Sequence, residues 1–256
     1  MDFDGYTAAL EVACRATGQV DGLVLLGSGS TIGATRRDEW SDHDIYVVAA
    51  DGAGEELRST LTFLPAPDRI VATAWEGRIG FAALYDDGHL IEGAAGTLEE
   101  LGGVRSGDYE IVFGTPPVEA LIEASTRARP DDLVIPPADH VVLALLKLAV
   151  GTGRVRRGEV VNGGQFIHGY AITHLCHAVR ARLAPASTPV DAGLDPVRRI
   201  EIDHPAFGAR LAAALDRPAE IAAREVYDLL RSTLEPGWPD FPTAAADVIG
   251  RRLGWT

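Results

Sequence analysis

Two aspartates placed two residues apart are the strongest chemical signal in this chain. Asp42 and Asp44 flank His43, directly before an apolar run at residues 45–48 that is typical of a buried strand. Side chains alternate along a strand, so we expect both carboxylates on one face of a sheet and His43 on the other. Two carboxylates on one face predict a site for a hard divalent cation.

A glycine–serine pair precedes these aspartates in the sequence. Residues 23–26 predict a first buried strand, which ends at Gly27 and Ser28. Gly27 allows a ligand to approach the backbone closely, and Ser28 offers a hydroxyl and an amide where a short helix is predicted to begin. Ser41 adds a second hydroxyl directly before Asp42. These groups are suited to phosphate oxygens that a carboxylate-bound metal would also contact.

A third carboxylate, Glu92, interrupts a predicted apolar strand at residues 90–94. An unpaired buried charge is costly, so Glu92 lies either on the solvent face of an edge strand or beside a metal or another cation. Glu76 and Glu159 are the alternative carboxylates for proton transfer.

The elements that must position these residues are helices and short strands. Residues 6–17, with Asp4 as N-cap, and residues 55–64 show helical spacing. An antiparallel meander is predicted downstream, and Asp86 and Asp87 are interpreted as turn formers within it. Its strands are predicted at residues 69–75, 79–85 and 90–94.

The second half of the chain is predicted to be helical. Residues 127–132 and the two prolines at 136 and 137 are interpreted as a linker. We therefore predict two domains, at residues 1–128 and 129–256. The predicted helices of the second domain cover residues 139–150, 159–183, 205–215, 218–234 and 243–253.

Basic residues in this half are candidates for phosphate binding. Lys147 is the only lysine in the chain, and its ammonium either binds phosphate or lies on a solvated helix face. Arg154, Arg156 and Arg157 are predicted to form a basic loop, which either faces phosphates or is a charged turn without a ligand. Three histidines are interpreted as packing or surface residues: His168, His174 and His177.

Composition restricts the classes of function. The net charge of the 256 residues is −14, which disfavours a surface built for nucleic acid. No apolar run reaches the roughly 18 residues that span a bilayer, and the N-terminus lacks a signal peptide, so we expect no membrane contact and a cytoplasmic location. Cys14 and Cys176 are far apart in sequence and are interpreted as reduced thiols.

The order of these motifs resembles that of the DNA polymerase β superfamily of nucleotidyltransferases. The shared pattern is Gly27-Ser28 after an apolar strand, a spacer at residues 29–41, Asp42-His43-Asp44 on a second strand, and an acidic residue, Glu92, on a later one. The resemblance covers roughly the first half of the chain. It is strongest to the small nucleotidyltransferases that modify aminoglycoside or lincosamide antibiotics.

The resemblance implies a fold of the α/β (α+β) class, in which a nucleotidyltransferase-type mixed sheet with flanking helices is followed by an all-helical C-terminal domain. It implies Mg²⁺-dependent transfer of a nucleoside monophosphate, AMP from ATP or another nucleoside triphosphate, to a hydroxyl of a small molecule, with release of pyrophosphate. Asp42, Asp44 and Glu92 would hold two Mg²⁺ ions, with Glu92 as ligand, general base or both. Ser41 occupies the position that contacts the triphosphate in this family.

Several alternatives stay open at the level of sequence. The acidic balance fits a cationic acceptor such as an aminoglycoside, whereas lincosamides carry far less charge. A catalytically idle protein of the same fold, for example an antitoxin-like binding protein, is the second hypothesis. An RNA nucleotidyltransferase is disfavoured by the net charge of −14. The modified hydroxyl, the preferred nucleotide, the oligomeric state and a role in antibiotic resistance as opposed to metabolism are not determined.

Overall fold

The protein has a mixed α/β architecture. The computed structural model describes residues 1–126, 135–186 and 194–256, and the chain divides into two compact units, Met1–Pro130 and Asp131–Thr256. The linker predicted at residues 127–132 and the domain boundary predicted between residues 128 and 129 lie outside the described residues.

A six-stranded sheet forms the first unit. Its strands are β1 (Val20–Leu26), β2 (His43–Ala49), β3 (Ile70–Glu76), β4 (Gly80–Tyr85), β5 (Leu90–Thr97) and β6 (Tyr109–Gly114). They lie in the order β3-β4-β5-β2-β1-β6. Strands β2 and β5 are parallel, whereas the other neighbouring pairs are antiparallel. The N-terminal ends of β2 and β5 therefore lie side by side, and both carry the acidic residues.

Helices cover both faces of this sheet. Helices α1 (Phe3–Ala16) and α2 (Gly54–Thr60) pack on the face that contains Ile45 and Val47. Helix α3 (Pro116–Ser125) packs on the opposite face, which contains Tyr46 and Val48. The alternation of these apolar residues fixes which face of β2 each neighbouring side chain must occupy.

The predicted meander is confirmed as strands β3, β4 and β5. The predicted first helix is confirmed as α1, but its N-cap is Asp2, which accepts a hydrogen bond from the Gly5 amide, and not Asp4. Sequence reasoning made no prediction for β6 and α3. Both elements depend on tertiary contacts, since β6 pairs with β1 at the edge of the sheet and α3 buries Val118 and Ile122 against that sheet. Short segments of this kind carry little periodic signal of their own.

Helices make up the described part of the second unit. They are α4 (Pro137–Arg156), α5 (Val160–Gln165), α6 (Ile172–Arg182), α7 (Ile200–Asp203), α8 (Pro205–Leu215), α9 (Ala219–Leu234) and α10 (Thr243–Leu253). Among the helices that the structure describes in either unit, none combines the length and the apolar character that a bilayer crossing requires.

Helix α4 corrects two expectations. It begins at Pro137 and not after Asp139, and it continues to Arg156, so the basic loop predicted at residues 154–157 is wrong for most of its length. Arg156 lies in the last turn and forms an ion pair with Glu220 at 2.7 Å. Cations in the last turn of a helix interact favourably with its carbonyl end, which accounts for these residues without a ligand.

The helix predicted at residues 159–183 consists of three pieces, because a π-helical segment, Phe166–Ala171, separates α5 from α6. Next to it, α4 and α5 approach closely at two glycines. A Cβ atom added at Gly163 would lie 2.8 Å from the carbonyl oxygen of Gly151 and 2.7 Å from Val155 Cγ2. Glycine at residue 163 therefore determines how closely these helices pack.

We expect Gly163→Ala to destabilise the second unit by about 1–3 kcal/mol, because its methyl group would press against backbone that has no room to move. Gly164 in the same helix has no heavy atom within 4 Å of a Cβ position. Gly164→Ala is the matched control and should stabilise the helix by about 0.5–1 kcal/mol. Urea denaturation of both variants measures the difference, and equal stabilities would contradict the close packing.

Three histidines form a cluster inside the second unit. His140 on α4 is 8% exposed, its Nδ1 lies 3.0 Å from Nδ1 of His174, and its ring stacks on that of His177 at 4.5 Å between centroids. Burial lowers the pKa of all three, to about 4 for His140. The interpretation of His174 and His177 as packing residues agrees with these contacts, but sequence reasoning did not include His140.

The histidine cluster predicts a pH-dependent stability. Its members bind protons more readily in the unfolded chain, where the pKa is about 6.5, so the free energy of unfolding should fall as the pH decreases from about 6.5 to about 4. Each proton that the unfolded chain binds and the folded chain does not changes the free energy of unfolding by up to about 1.4 kcal/mol per pH unit. Urea denaturation at several pH values in this range gives the free energy of unfolding as a function of pH. This free energy should depend less steeply on pH in His140→Asn than in the wild type, and an identical pH dependence would disprove the expectation.

Candidate metal centre

Three carboxylates meet where β2 and β5 begin. Asp44 is directly opposite Glu92 in the parallel pairing of these strands, and Asp42 precedes it by two residues on the same face. One oxygen atom from each of the three side chains lies within 4.8 Å of the other two. Asp42 and Asp44 are half-buried and Glu92 is partly exposed. The structure thus brings together the three acidic residues that the sequence selected.

His43 points to the opposite face of β2, as the alternation predicts. It is completely buried and stacks on Phe3 of α1 at 3.7 Å between ring centroids. Its Nε2 lies 2.9 Å from the Thr7 hydroxyl, and its Nδ1 lies 2.7 Å from Nε2 of His89. Burial lowers the pKa of His43 to about 3, so this imidazole stays neutral and anchors the start of β2 to α1.

The electrostatics at the three carboxylates favour a cation. Burial raises the pKa of Glu92, and the negative charges of Asp42 and Glu76 raise it further. Clustered carboxylates repel one another in the ionised state, and a bound cation would remove that cost. All donor atoms are carboxylate oxygens, which is the donor set that Mg²⁺ and other hard cations prefer. The residues present therefore fit a hard divalent ion.

The glycine–serine turn lies beside this group. Gly27 has a φ of +53° and begins a short 3₁₀ turn, Gly27–Gly29, directly after β1. Its amide donates a hydrogen bond to the Asp108 carbonyl oxygen at 2.8 Å. A Cβ atom at residue 27 would lie 3.8 Å from Oδ2 of Asp44. Gly27 therefore opens the space next to the Asp44 carboxylate, in a backbone conformation that favours glycine.

Residues that sequence reasoning missed hold this turn in place. The buried Ser30 hydroxyl donates to the Gly27 carbonyl oxygen at 2.8 Å and accepts from the Gly33 amide at 3.0 Å. A Cβ atom at Gly33 would lie 1.8 Å from that carbonyl oxygen, so a larger residue is excluded there. The Arg37 guanidinium donates to the carbonyl oxygens of Ser28 and Gly29. The run of small residues after Gly27 was the available sequence signal.

Ser41 has an additional contact that the sequence did not suggest. Its Oγ accepts a hydrogen bond from the Asp38 amide at 2.9 Å and donates to the Asp38 carboxylate at 3.3 Å. These bonds close a turn immediately before Asp42. Contact of Ser28 and Ser41 with a triphosphate stays a prediction.

A cavity of about 540 Å³ adjoins Asp42. Glu39, Trp40 and His89 contribute to its wall, and Trp40 is 85% exposed. Asp87 also lines it, although this carboxylate is held by Arg69 at 2.9 Å. The cavity offers room for a small molecule next to Asp42, with the carboxylate of Glu39 and the aromatic side chains of Trp40 and His89 in its wall.

The other candidate residues are placed as follows. Glu76 ends β3 and is close enough to Glu92 to affect the pKa of Glu92. Asp86 and Asp87 lie in the turn between β4 and β5, as predicted, and also pair with Arg69.

Lys147 belongs to the second unit, where its ammonium lies 5.5 Å from the centroid of the Phe166 ring. Its contact with a nucleotide stays a prediction. Glu159 also belongs to the second unit and pairs with Arg157 at 3.0 Å.

Comparison of the chain with protein-family models and with curated protein sequences finds no match to either.

We expect divalent cations to bind at the three carboxylates. Titration calorimetry with Mn²⁺ or Mg²⁺, with and without ATP, should show binding to the wild type that Asp42→Asn and Asp44→Asn each weaken by more than about tenfold. Asp51→Asn changes an exposed aspartate in the turn after β2 and is the matched control. Equal cation affinity in all four proteins would show that the cation does not bind at Asp42 and Asp44.

Proposed function

We propose that this protein is a Mg²⁺-dependent nucleotidyltransferase. It transfers a nucleoside monophosphate, from ATP or another nucleoside triphosphate, to a hydroxyl group of a small molecule. The observation that carries this proposal is the group formed by Asp42, Asp44 and Glu92, next to the backbone turn at Gly27 and Ser28. Carboxylates beside an open glycine turn provide both a metal site and a phosphate site in one place.

The three carboxylates would hold the metal, as two ions once nucleotide is bound, because Mg²⁺ usually binds through one or two carboxylates together with substrate phosphates. When bound, the cation supplies charge neutralisation for the phosphate oxygens and a fixed alignment of the attacking and leaving oxygens. The short distances among Asp42, Asp44 and Glu92 support this role.

The backbone near Gly27 would position the triphosphate. Gly27 leaves the space next to Asp44 free of a side chain, and Ser28 offers its hydroxyl and amide at the start of the turn. Ser41 would donate to the triphosphate beside Asp42 once its hydroxyl turns away from the Asp38 carboxylate that it contacts in the structure. The hydrogen bonds from Ser30 and Arg37 keep the turn in one conformation, so little ordering is needed on binding.

Glu92 is the proposed general base. The acceptor oxygen forms a bond to the α-phosphorus, the bond from that phosphorus to the bridging oxygen breaks, pyrophosphate leaves, and Glu92 takes the hydroxyl proton. The raised pKa of Glu92, caused by burial and by the charges of Asp42 and Glu76, makes it a stronger base than an isolated carboxylate.

A cationic acceptor is supported by charge. The chain has a net charge of −14, and the carboxylates of Glu39 and Asp42 line the cavity next to the centre. An amine-bearing small molecule such as an aminoglycoside-like antibiotic fits these walls better than an anionic one. On this basis we propose a role in antibiotic modification.

Glu92→Gln should keep nucleotide affinity within a few-fold of the wild type and reduce turnover by about 10²–10⁴-fold, because the amide preserves shape but cannot accept the proton. Incubation with Mg²⁺, each nucleoside triphosphate and a panel of aminoglycosides and lincosamides, followed by pyrophosphate measurement and mass spectrometry of the products, tests this. Glu99→Gln, at an exposed carboxylate beyond the end of β5, is the control.

Near-normal turnover of Glu92→Gln would remove Glu92 from the mechanism. Nucleotide binding without pyrophosphate release from any acceptor would instead favour the catalytically idle, antitoxin-like alternative.

A further inference from the structure

Trp40 is the most exposed of the four tryptophans in the chain. It is 85% exposed, compared with 50% for Trp75 and 8% for both Trp238 and Trp255. A single exposed apolar residue is common on protein surfaces. This one, however, lies directly before β2 and contributes to the wall of the cavity beside Asp42.

The backbone of Trp40 is held in a closed turn. Its amide donates a hydrogen bond to the Asp38 carboxylate at 2.9 Å, and the Ser41 amide donates to the Asp38 carbonyl oxygen at 3.2 Å. These bonds fix the position of the Trp40 backbone, so only the two side-chain torsions of the indole remain to be ordered on binding. The indole is therefore available to a ligand at a low entropic cost.

The order of the strands separates this cavity from the glycine turn. Strand β2, which begins at the two aspartates, lies between β1 and β5. The turn at Gly27 follows β1, whereas the cavity is lined by Leu90 at the start of β5 and by residues directly before β2. Phosphates bound at the turn and a molecule bound in the cavity would therefore approach the carboxylates from different sides.

Transfer of a nucleotidyl group requires this separation. The attacking and the leaving oxygens lie roughly in line on either side of the phosphorus, so the acceptor cannot share the side on which the leaving phosphates are held. With those phosphates at Gly27, the cavity beside Trp40 is the space left for the acceptor. This assignment rests on the proposed function.

The chemistry of the cavity wall identifies what Trp40 contacts. Glu39 is exposed next to Trp40, and among the residues that the structure describes it has no ion-pair partner. The face of an indole attracts an ammonium group within about 6 Å of the ring centroid, and a carboxylate attracts a second one.

We propose that Trp40 selects the acceptor. Its indole binds an ammonium-bearing ring, and the Glu39 carboxylate pairs with a further ammonium group. The acceptor is thus a small hydroxyl-bearing molecule with at least two positive charges. A neutral molecule of the same size lacks both attractions and is rejected.

Titration calorimetry without nucleotide tests this recognition directly. Neomycin, a hydroxyl-bearing molecule with several ammonium groups, is the probe, and sucrose is the neutral comparison. Trp40→Ala should weaken neomycin binding about 5- to 30-fold, and Trp40→Phe should weaken it less because it keeps an aromatic face. Trp75→Ala removes another exposed tryptophan, on β3, and should have no effect. Sucrose should not bind to any of these proteins.

Glu39→Gln should also weaken neomycin binding. The loss should become smaller as salt is added, because salt screens the interaction of exposed charges. Glu99→Gln, at an exposed carboxylate outside the cavity, makes the same change in net charge and should leave the affinity for neomycin unchanged.

Steady-state kinetics separates acceptor recognition from nucleotide binding. In Trp40→Ala, the KM for neomycin should rise by a similar factor, whereas kcat and the KM for ATP should stay within about twofold of the wild type. A rise in the KM for ATP instead would show that the indole contacts the nucleotide, and would overturn the proposal. Equal neomycin affinity of the wild type and Trp40→Ala would also overturn it, as would the absence of neomycin binding at about 1 mM.

Failure of the proposed function gives a different result. Neomycin binding that depends on Trp40 but is followed by no pyrophosphate release would support the recognition and contradict the transfer of a nucleotide. Pyrophosphate release with a neomycin KM that Trp40→Ala leaves unchanged would support the transfer and contradict the recognition.

Discussion

The fold has to hold three negatively charged carboxylates close together where β2 and β5 begin. The parallel pairing of these strands sets Asp44 directly opposite Glu92, and the alternation of β2 adds Asp42 to the same face. Apolar contacts on the rest of both strands stabilise an arrangement that the carboxylates alone would oppose. Burial raises the pKa of Glu92, and the neighbouring charges of Asp42 and Glu76 raise it further. The meeting of the three carboxylates therefore depends on this pairing.

Two sets of contacts in the first unit hold the strand and the turn next to the three carboxylates. His43 is locked against α1 by its stacking on Phe3 and by its contacts with Thr7 and His89. Ser30 and Arg37 fix the neighbouring turn through backbone carbonyl oxygens. These contacts lie outside the acidic motif, yet they decide where its oxygen atoms are held.

In the second unit, close packing of helices at glycines and a buried histidine cluster are the main features. Helices α4 and α5 meet through small residues, and the contact of Gly151 with Gly163 brings their backbones closer than side chains would permit. Burial of the histidine cluster on α4 and α6 links the stability of this unit to pH. Glycine and histidine carry weak helical signals in sequence, so the extent of α4 and the role of His140 were not predicted.

Much of the site could be predicted because side chains along a strand alternate between the two faces of the sheet. Local alternation was enough to place Asp42 and Asp44 on one face and His43 on the other, and Glu92 stood out as a charge within an apolar strand. Strand β6, the bracing by Ser30 and Arg37, and the cavity beside Trp40 were decided only by the tertiary structure. Each of these depends on partners distant in sequence, and local spacing carries no record of which strand becomes an edge.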